Sequence, residues 1–102
     1  MTDALSWRGE NLFGADGKIG EIEEIYLDAG TSEPEWAVVK TGLLGRQRRF
    51  VPLREASQDL DGIRVPFAGA KVKEAPEIDH DNRLTEAEEA ALYRHYGHGQ
   101  GR

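Results

Sequence analysis

The chain has 102 residues, of which 38% are hydrophobic and 31% are charged, and this fits one small folded domain rather than a disordered chain. Its formal net charge of −6 disfavours nucleic acid and anionic membranes as general partners, unless a local basic patch overrides it. Because the chain contains no cysteine, disulfide bonds, zinc–thiolate sites and thiol catalysis are excluded.

A first hairpin is predicted around Gly14-Ala15-Asp16-Gly17, because an Asp-Gly pair between apolar residues favours a tight turn. Trp7 precedes this hairpin. It is expected to cover one end of the core, and a partly exposed aromatic side chain is the alternative.

The segment after this turn carries conflicting patterns. Its isoleucines are spaced by three, which taken alone indicates a helical face; they are Ile19, Ile22 and Ile25. Residues 22–27 are rich in β-branched and aromatic side chains, however, and these favour a strand. One extra residue near Glu23-Glu24 would restore the strand alternation, so we predict a strand with a β-bulge there.

The central feature is a second hairpin. After a turn at residues 31–34, the apolar run of residues 36–39 and the segment Phe50-Val51-Pro52-Leu53 flank a glycine-bracketed turn at residues 41–45, and both runs suit a half-buried pleated surface. Pro52 lacks a backbone N–H, so the second strand should end there or lie at a sheet edge.

Two more short strands are predicted after the connection at residues 54–57. The turn at Asp59-Leu60-Asp61-Gly62 precedes an alternating segment with Ile63, Val65 and Phe67, and residues 70–74 form a last short strand before Pro76. About five short strands with frequent turns and no intervening helix favour a small, strongly bent antiparallel β-barrel.

The C-terminal part is different in composition. Residues 77–82 form an acidic linker, and Thr85 with Glu88 matches a capping box that starts a helix of about eleven residues. Gly97 is a natural helix stop. The helix carries an apolar stripe of Leu92, Tyr93 and Tyr96, and a helix this short is expected to dock on the barrel or on a partner.

Two patterns suggest metal ligands. Asp79-His80-Asp81-Asn82 resembles the start of a calcium loop, but Leu84 stands in the place of the bend glycine and Ala90 in that of the bidentate glutamate. A solvated acidic linker is therefore the preferred interpretation. His95 and His98 can share a metal at their spacing, whereas the helix dipole explains His95 without one. We predict no metal and no cofactor.

A basic cluster, Arg46-Gln47-Arg48-Arg49, lies between the two central strands. It can hold phosphates, or it can be a solvated hairpin with outward arginines, or it can contact an acidic surface, including the chain's own helix. No catalytic constellation, phosphate loop or dinucleotide fingerprint accompanies it. The sequence therefore predicts that the protein is not an enzyme.

Taken in order, several short stretches resemble the PRC-barrel family, in its stand-alone bacterial form. They are residues 16–20, 25–28, 35–39 with Gly42 and Gly45, 50–53, 65–67 and 71–76. The resemblance implies a small bent β-barrel without catalytic residues. The same barrel occurs in the H subunit of the photosynthetic reaction centre and in a ribosome-maturation factor, where it docks on other macromolecules.

These patterns together predict a PRC-barrel domain at residues 1–76, a linker and helix at 77–97, and a disordered tail at 98–102. The leading hypothesis is a cytoplasmic, non-enzymatic adaptor, expected to be a homodimer without a transmembrane segment. The alternative is an RNA- or ribosome-associated factor. The candidate interaction residues are Arg46, Arg48, Arg49, Trp36, Leu92, Tyr93 and Tyr96.

Overall fold

A computed structural model describes residues 4–28, 30–42, 47–76 and 84–97. After a 3₁₀ turn at Ala4–Trp7, the chain forms six strands and two α-helices in these segments. The strands are β1 (Asn11–Gly14), β2 (Gly17–Leu27), β3 (Pro34–Thr41), β4 (Gln47–Pro52), β5 (Ser57–Asp59) and β6 (Gly62–Arg64). The helices are α1 (Gly69–Lys73) and α2 (Glu86–Tyr96). The predicted class, mainly β with one short C-terminal helix, is confirmed.

The six strands form one mixed sheet in the order β4-β3-β2-β1-β6-β5. Four neighbouring pairs are antiparallel, but β1 and β6 are parallel, with Leu12 opposite Ile63. The prediction of an all-antiparallel sheet was therefore wrong. A connection leads from β4 to the β5–β6 hairpin, and β6 of this hairpin lies beside β1. In this position β6 runs in the same direction as β1.

The predicted closed and strongly bent barrel is not confirmed, since the described strands do not close into a ring. The sheet begins at β4 and ends at β5, and these two strands do not pair. A physical reason lies at the β4 edge. The Tyr96 hydroxyl of α2 donates a hydrogen bond to the Phe50 carbonyl of β4 at 2.6 Å. The helix therefore covers the edge of β4, with which β5 would have to pair to close the barrel.

The predicted strand and bulge around Glu23 are confirmed. Residues 17–27 form one strand, whose first part pairs with β1 and whose second part pairs with β3. Along β3 the register shifts between Ile22 and Glu24, which leaves Glu23 as the extra residue. Because a bulge inserts one residue, the bulge at Glu23 brings Ile22 and Ile25 to the same face. A second register shift, opposite Leu12 and Phe13 of β1, leaves Ile19 as an extra residue and does the same for Ile19 and Ile22. Ile19, Ile22 and Ile25 are all buried.

Both predicted hairpins at the start of the sheet are confirmed. β1 and β2 pair across the Asp16-Gly17 turn, and β3 and β4 pair in continuous register from Trp36 opposite Pro52 to Thr41 opposite Gln47. Pro52 ends β4, which is also an edge strand. The predicted turn residues 43–45 lie outside the described residues.

The last part of the sheet differs from the prediction in two ways. The predicted strand that includes Ile63 is shorter than expected and ends at Arg64. It also pairs with a hairpin partner, β5, that was not predicted. Residues 69–73 form helix α1, so the predicted strand at 70–74 was wrong. Only Val72 of this helix is buried, and the alanine and lysines around it have high helix propensity, so no strand alternation is enforced.

One hydrophobic core joins the sheet and both helices. Trp7 is 6% exposed and belongs to this core, which confirms its predicted role as a cover. Large, fully buried side chains come from β1, β3, β4, β6 and α2; they include Leu12, Trp36, Phe50, Ile63 and Leu92. Neither helix in the described segments has the length and apolar content that crossing a membrane requires.

Candidate interaction site

Helix α2 begins and ends at the predicted caps. The Glu88 backbone N–H donates to the Thr85 hydroxyl at 3.1 Å, and the Thr85 N–H donates to the Glu88 carboxylate at 2.9 Å. This is a complete capping box, which satisfies two backbone donors at the helix start. Gly97 takes a left-handed conformation with φ of 83° and ends the helix. The sequence therefore places α2 accurately.

The apolar stripe of α2 packs on the chain's own sheet. Leu92 is 0% and Tyr96 is 5% exposed, and the Tyr96 ring lies 4.9 Å from that of Phe67. Trp36 of β3 is 1% exposed, and its ring lies 4.9 Å from that of Tyr93. Three of the candidate interaction residues, Trp36, Leu92 and Tyr96, thus contact the interior of this chain, and only Tyr93 of the stripe is half exposed.

The contact of Tyr96 with β4 has a specific geometry. The Leu53 N–H donates to the Glu35 carbonyl at 2.9 Å, and the register places Phe50 opposite Val38. Hydrogen-bonded and non-hydrogen-bonded pairs alternate along an antiparallel ladder. The Phe50 carbonyl therefore points away from β3, toward the open side of β4, and Tyr96 satisfies it there.

A second set of polar contacts joins α2 to β3. The Tyr93 hydroxyl donates to the Glu35 carboxylate, and the Trp36 indole N–H donates to Glu89 at 3.5 Å. Burial and the neighbouring Glu89 raise the pKa of Glu35, although the hydrogen bond from Tyr93 opposes this. Burial and the Glu35 contact in turn raise the pKa of Tyr93. Two glutamates therefore lie close together at the junction of helix and sheet.

An open cleft of about 860 Å³ lies beside this junction. We call it the acidic cleft; its lining includes Trp7, Asp28, Glu33, Pro34, Glu35, Pro52, Leu53, Arg54, Ala56, Gln58 and Tyr93. The lining combines apolar and aromatic side chains with three carboxylates and one guanidinium. This mixture of apolar surface with a few charged groups is typical of a binding site.

The predicted basic cluster is partly engaged by the chain itself. Arg48 forms an ion pair with Glu23. Arg49 donates to the Lys73 carbonyl at 3.2 Å and to the Arg48 carbonyl at 2.9 Å. Arg46 lies outside the described residues. Arg48 and Arg49 therefore help to hold β4 against β2 and α1, and a role in binding another molecule remains a prediction.

A smaller groove of about 660 Å³ lies beside this cluster. It brings together Lys18, Lys40 and Arg48, but it also includes Glu21, which forms an ion pair with Lys40 at 3.0 Å. Sequence reasoning did not connect Lys18 and Lys40 with the arginines, because they lie on different strands.

Of the side chains in the two patterns that suggest metal ligands, only His95 lies in a described segment. The segment Asp79–Asn82 and His98 lie outside the described residues. His95 donates from Nε2 to the Lys71 carbonyl at 2.7 Å, so it connects α2 to α1. In the described segments, no three side chains of histidine, aspartate or glutamate lie close enough together to hold a metal ion.

Comparison with known proteins defines the class of this chain. The PRC-barrel domain model matches residues 6–72, which is more than half of the 102-residue chain. The chain therefore belongs to the PRC-barrel family, as its sequence predicts. Among curated proteins none matches the chain at the level searched. Helix α2 lies beyond the matched residues, so the acidic cleft combines residues of the family domain with Tyr93 from outside it.

Sequence reasoning missed the acidic cleft and its carboxylates. Glu35 adjoins Trp36, and Glu89 lies one helical turn before Tyr93, so each glutamate has a neighbour that was predicted to matter. No sequence pattern, however, indicates that residues 35 and 89 meet.

Proposed function

We propose that this PRC-barrel protein is a non-enzymatic adaptor that binds a partner protein in the acidic cleft. The observation that carries the proposal is the cleft itself. It is open and large enough for several side chains, and its walls combine apolar, aromatic and charged residues. Fold alone does not determine function, so membership of the family does not by itself establish binding in this cleft.

Glu35 requires a separate explanation, because a carboxyl group with a raised pKa in a cleft is also a feature of active sites. Here the neighbouring polar groups are used to attach α2. Tyr93 donates to Glu35, and the Trp36 indole donates to Glu89. Burial and mutual repulsion account for the raised pKa of Glu35. A structural and binding role is therefore sufficient to explain the pair.

A site-specific crosslinking experiment tests the adaptor role. A photoreactive amino acid at Arg54, an exposed position in the cleft lining that lies outside β5, is expected to form covalent adducts with a partner in native cells. The matched control carries the same amino acid at Arg94, which is exposed on α2 and absent from the cleft lining. Equal adducts from both positions would count against binding in the cleft.

The proposal includes a homodimer. Strand β5 is an open sheet edge whose three residues are all exposed, and such an edge can pair with a second copy. Light scattering over a range of concentrations provides the test. We expect a mass of twice 11.4 kDa at high concentration, and a constant monomer mass would remove the dimer from the proposal.

Association with RNA or the ribosome is the second candidate. The groove that joins Lys18, Lys40 and Arg48 is the observation in its favour, because clustered cations bind phosphates. Binding should weaken with added salt and should decrease when Lys18 and Lys40, which both line this groove, are changed to glutamate. An absence of RNA affinity at low salt would end this candidate.

A further inference from the structure

We infer that the acidic cleft accepts an arginine side chain of a partner polypeptide. This inference rests on the proposed function, since it names the chemistry of the partner in the same cleft. It follows from the charge of the cleft, from the position of the two glutamates and from an unsatisfied indole donor.

The charge of the cleft selects a cation. Its lining carries the carboxylates of Asp28, Glu33 and Glu35 against the single guanidinium of Arg54. Glu89 is not part of this lining, but its carboxylate lies beside that of Glu35. Asp28 already accepts backbone hydrogen bonds from Gly30 at 2.7 Å and from residue 31 at 3.0 Å, and these fix its position. A cationic side chain therefore meets a fixed excess of negative charge.

The glutamate pair favours arginine over lysine. Two neighbouring carboxylates repel each other, and part of this repulsion appears as the raised pKa of Glu35. A planar guanidinium has five donors and can bind two carboxylate oxygens at once, whereas an ammonium group acts as a point charge. A guanidinium also stacks on aromatic rings, and the Tyr93 ring belongs to the cleft lining.

Trp7 adds an unsatisfied hydrogen-bond donor to the wall of the cleft, independently of the charges. It is 6% exposed and lines the cleft, and its Nε1 is a buried donor without an acceptor in the described part of the chain. A buried donor without a partner is costly, so a peptide carbonyl would supply the missing acceptor once the indole turns its N–H toward the cleft. The side chains of Pro34, Pro52 and Leu53 give the peptide an apolar surface on the same walls.

Peptide titration tests the inference. The probe is a capped hexapeptide with one arginine between a proline and a leucine, and its matched controls carry citrulline or lysine at that position. Citrulline keeps the shape of arginine but has no charge. Two-dimensional ¹H–¹⁵N NMR follows the backbone amides and the two indole N–H signals, which belong to Trp7 and Trp36.

The arginine peptide is expected to shift signals from the cleft residues in a saturable way. The Trp7 indole proton should move downfield as it gains an acceptor. The citrulline peptide should bind about tenfold to a hundredfold more weakly, because charge-assisted hydrogen bonds are lost. The lysine peptide should lie between them.

Variants of the protein test the same inference by changing the carboxylates of the cleft instead of the peptide. Glu33→Gln and Glu35→Gln should each weaken arginine-peptide binding, while Glu74→Gln, the same change at an exposed position outside the cleft, should leave it unchanged. Glu33 is exposed, so its variant is expected to keep the fold even if Glu35→Gln does not.

The outcomes separate this inference from the proposed function. Equal binding of the arginine and citrulline peptides in the cleft would overturn the choice of arginine and would leave the cleft as a docking site. Signal shifts confined to other surfaces, or no shift at millimolar peptide, would also overturn the inference. Position-specific crosslinking from Arg54 would still decide independently whether a partner binds there.

Discussion

The two edges of the sheet are protected in different ways. Strand β4 has six residues, of which the last three are buried, and α2 satisfies its outward Phe50 carbonyl through Tyr96. Strand β5 has three residues, all exposed, and no described helix lies on it. An open edge invites pairing with other chains, and proteins limit this by covering the edge or by keeping it short and charged. This molecule covers its edge at β4, whereas β5 is short but lies outside the cover of the described helices.

The turn between β5 and β6 nevertheless holds the open β5 edge in a fixed conformation. One oxygen of Asp59 accepts from the backbone N–H of Asp61 at 2.9 Å and of Gly62 at 3.2 Å, and Arg64 donates to the other at 2.8 Å. The hydrogen bond from Arg64 is the main cause of the lowered pKa of Asp59. Leu60, at 105% exposure, is thus held out on a fixed turn. The chain itself therefore covers the β4 edge, and the β5 edge is the one that we propose for the homodimer.

Removing residues 79–102 should expose the edge of β4 and produce the largest loss of stability. The truncation uncovers Trp36 and Phe50, and it deletes two buried side chains, Leu92 and Tyr96. Each such loss costs about 2–5 kcal/mol, and the sum is comparable with the roughly 5–15 kcal/mol that stabilises a typical domain. We expect the truncated chain to be unfolded or aggregated already without urea, so that a urea titration shows no cooperative transition. A control truncated after Gly97 retains α2, and equal midpoints for both truncations would contradict this view.

Tyr96→Phe removes the cap on the Phe50 carbonyl while it keeps the ring. We expect a loss of about 1–2 kcal/mol, because a buried acceptor remains without its partner. Chemical denaturation measures the loss of stability. In amide hydrogen exchange, the substitution should accelerate the exchange of the β4 amides more than that of the β2 amides. Tyr93→Phe is the control on the same helix face and should cost less, since Tyr93 is half exposed. A larger loss for Tyr93→Phe would mean that the Phe50 contact is not what holds the edge.

Glu35→Gln should change the pH dependence of stability. The folded protein has a raised pKa at Glu35, so the stability that this group contributes is complete below the ordinary glutamate value and is lost as pH rises through the raised value. The variant cannot lose it, and at neutral pH it should be slightly more stable than the parent, by less than about 1 kcal/mol because the group is partly solvated. Thermal melts of both proteins across the acid range provide the comparison. A variant that is less stable at neutral pH would show that the ionised carboxylate is needed to hold α2.

Leu60→Ser should have the smallest effect on stability and thereby sharpen the contrast between the edges. Because Leu60 is fully exposed, its replacement should alter the free energy of unfolding by no more than about 0.5 kcal/mol. If β5 is the dimer edge, the same change should weaken self-association in light scattering. A stability loss well above this limit would indicate that Leu60 packs on the monomer.

Local patterns in the sequence predicted the local structure well. The capping box at Thr85, the stop at Gly97 and the bulge at Glu23 each depend on residues only a few positions apart. The parallel β1–β6 pairing was missed because it joins positions distant in sequence, which no periodicity encodes. Helix α1 was missed because five residues with one buried side chain carry almost no period.

The site was predictable in the same uneven way. The stripe of Leu92, Tyr93 and Tyr96 follows from helical spacing, and its packing against the sheet agrees with the short length of α2. The meeting of Glu35 with Glu89 depends on how α2 lies on β3, and only the three-dimensional structure reveals it.

The parallel pair of β1 and β6 also bears on how fast the chain folds. Leu12 must find Ile63, and Gly62, with φ of 146°, fits against the Asn11 carbonyl where an added Cβ would lie only 2.4 Å away. The first two hairpins involve near neighbours and can form early, whereas this contact requires the closure of a long loop, whose entropy must be lost before any contact compensates for it. We therefore expect the joining of these two strands to limit the refolding rate.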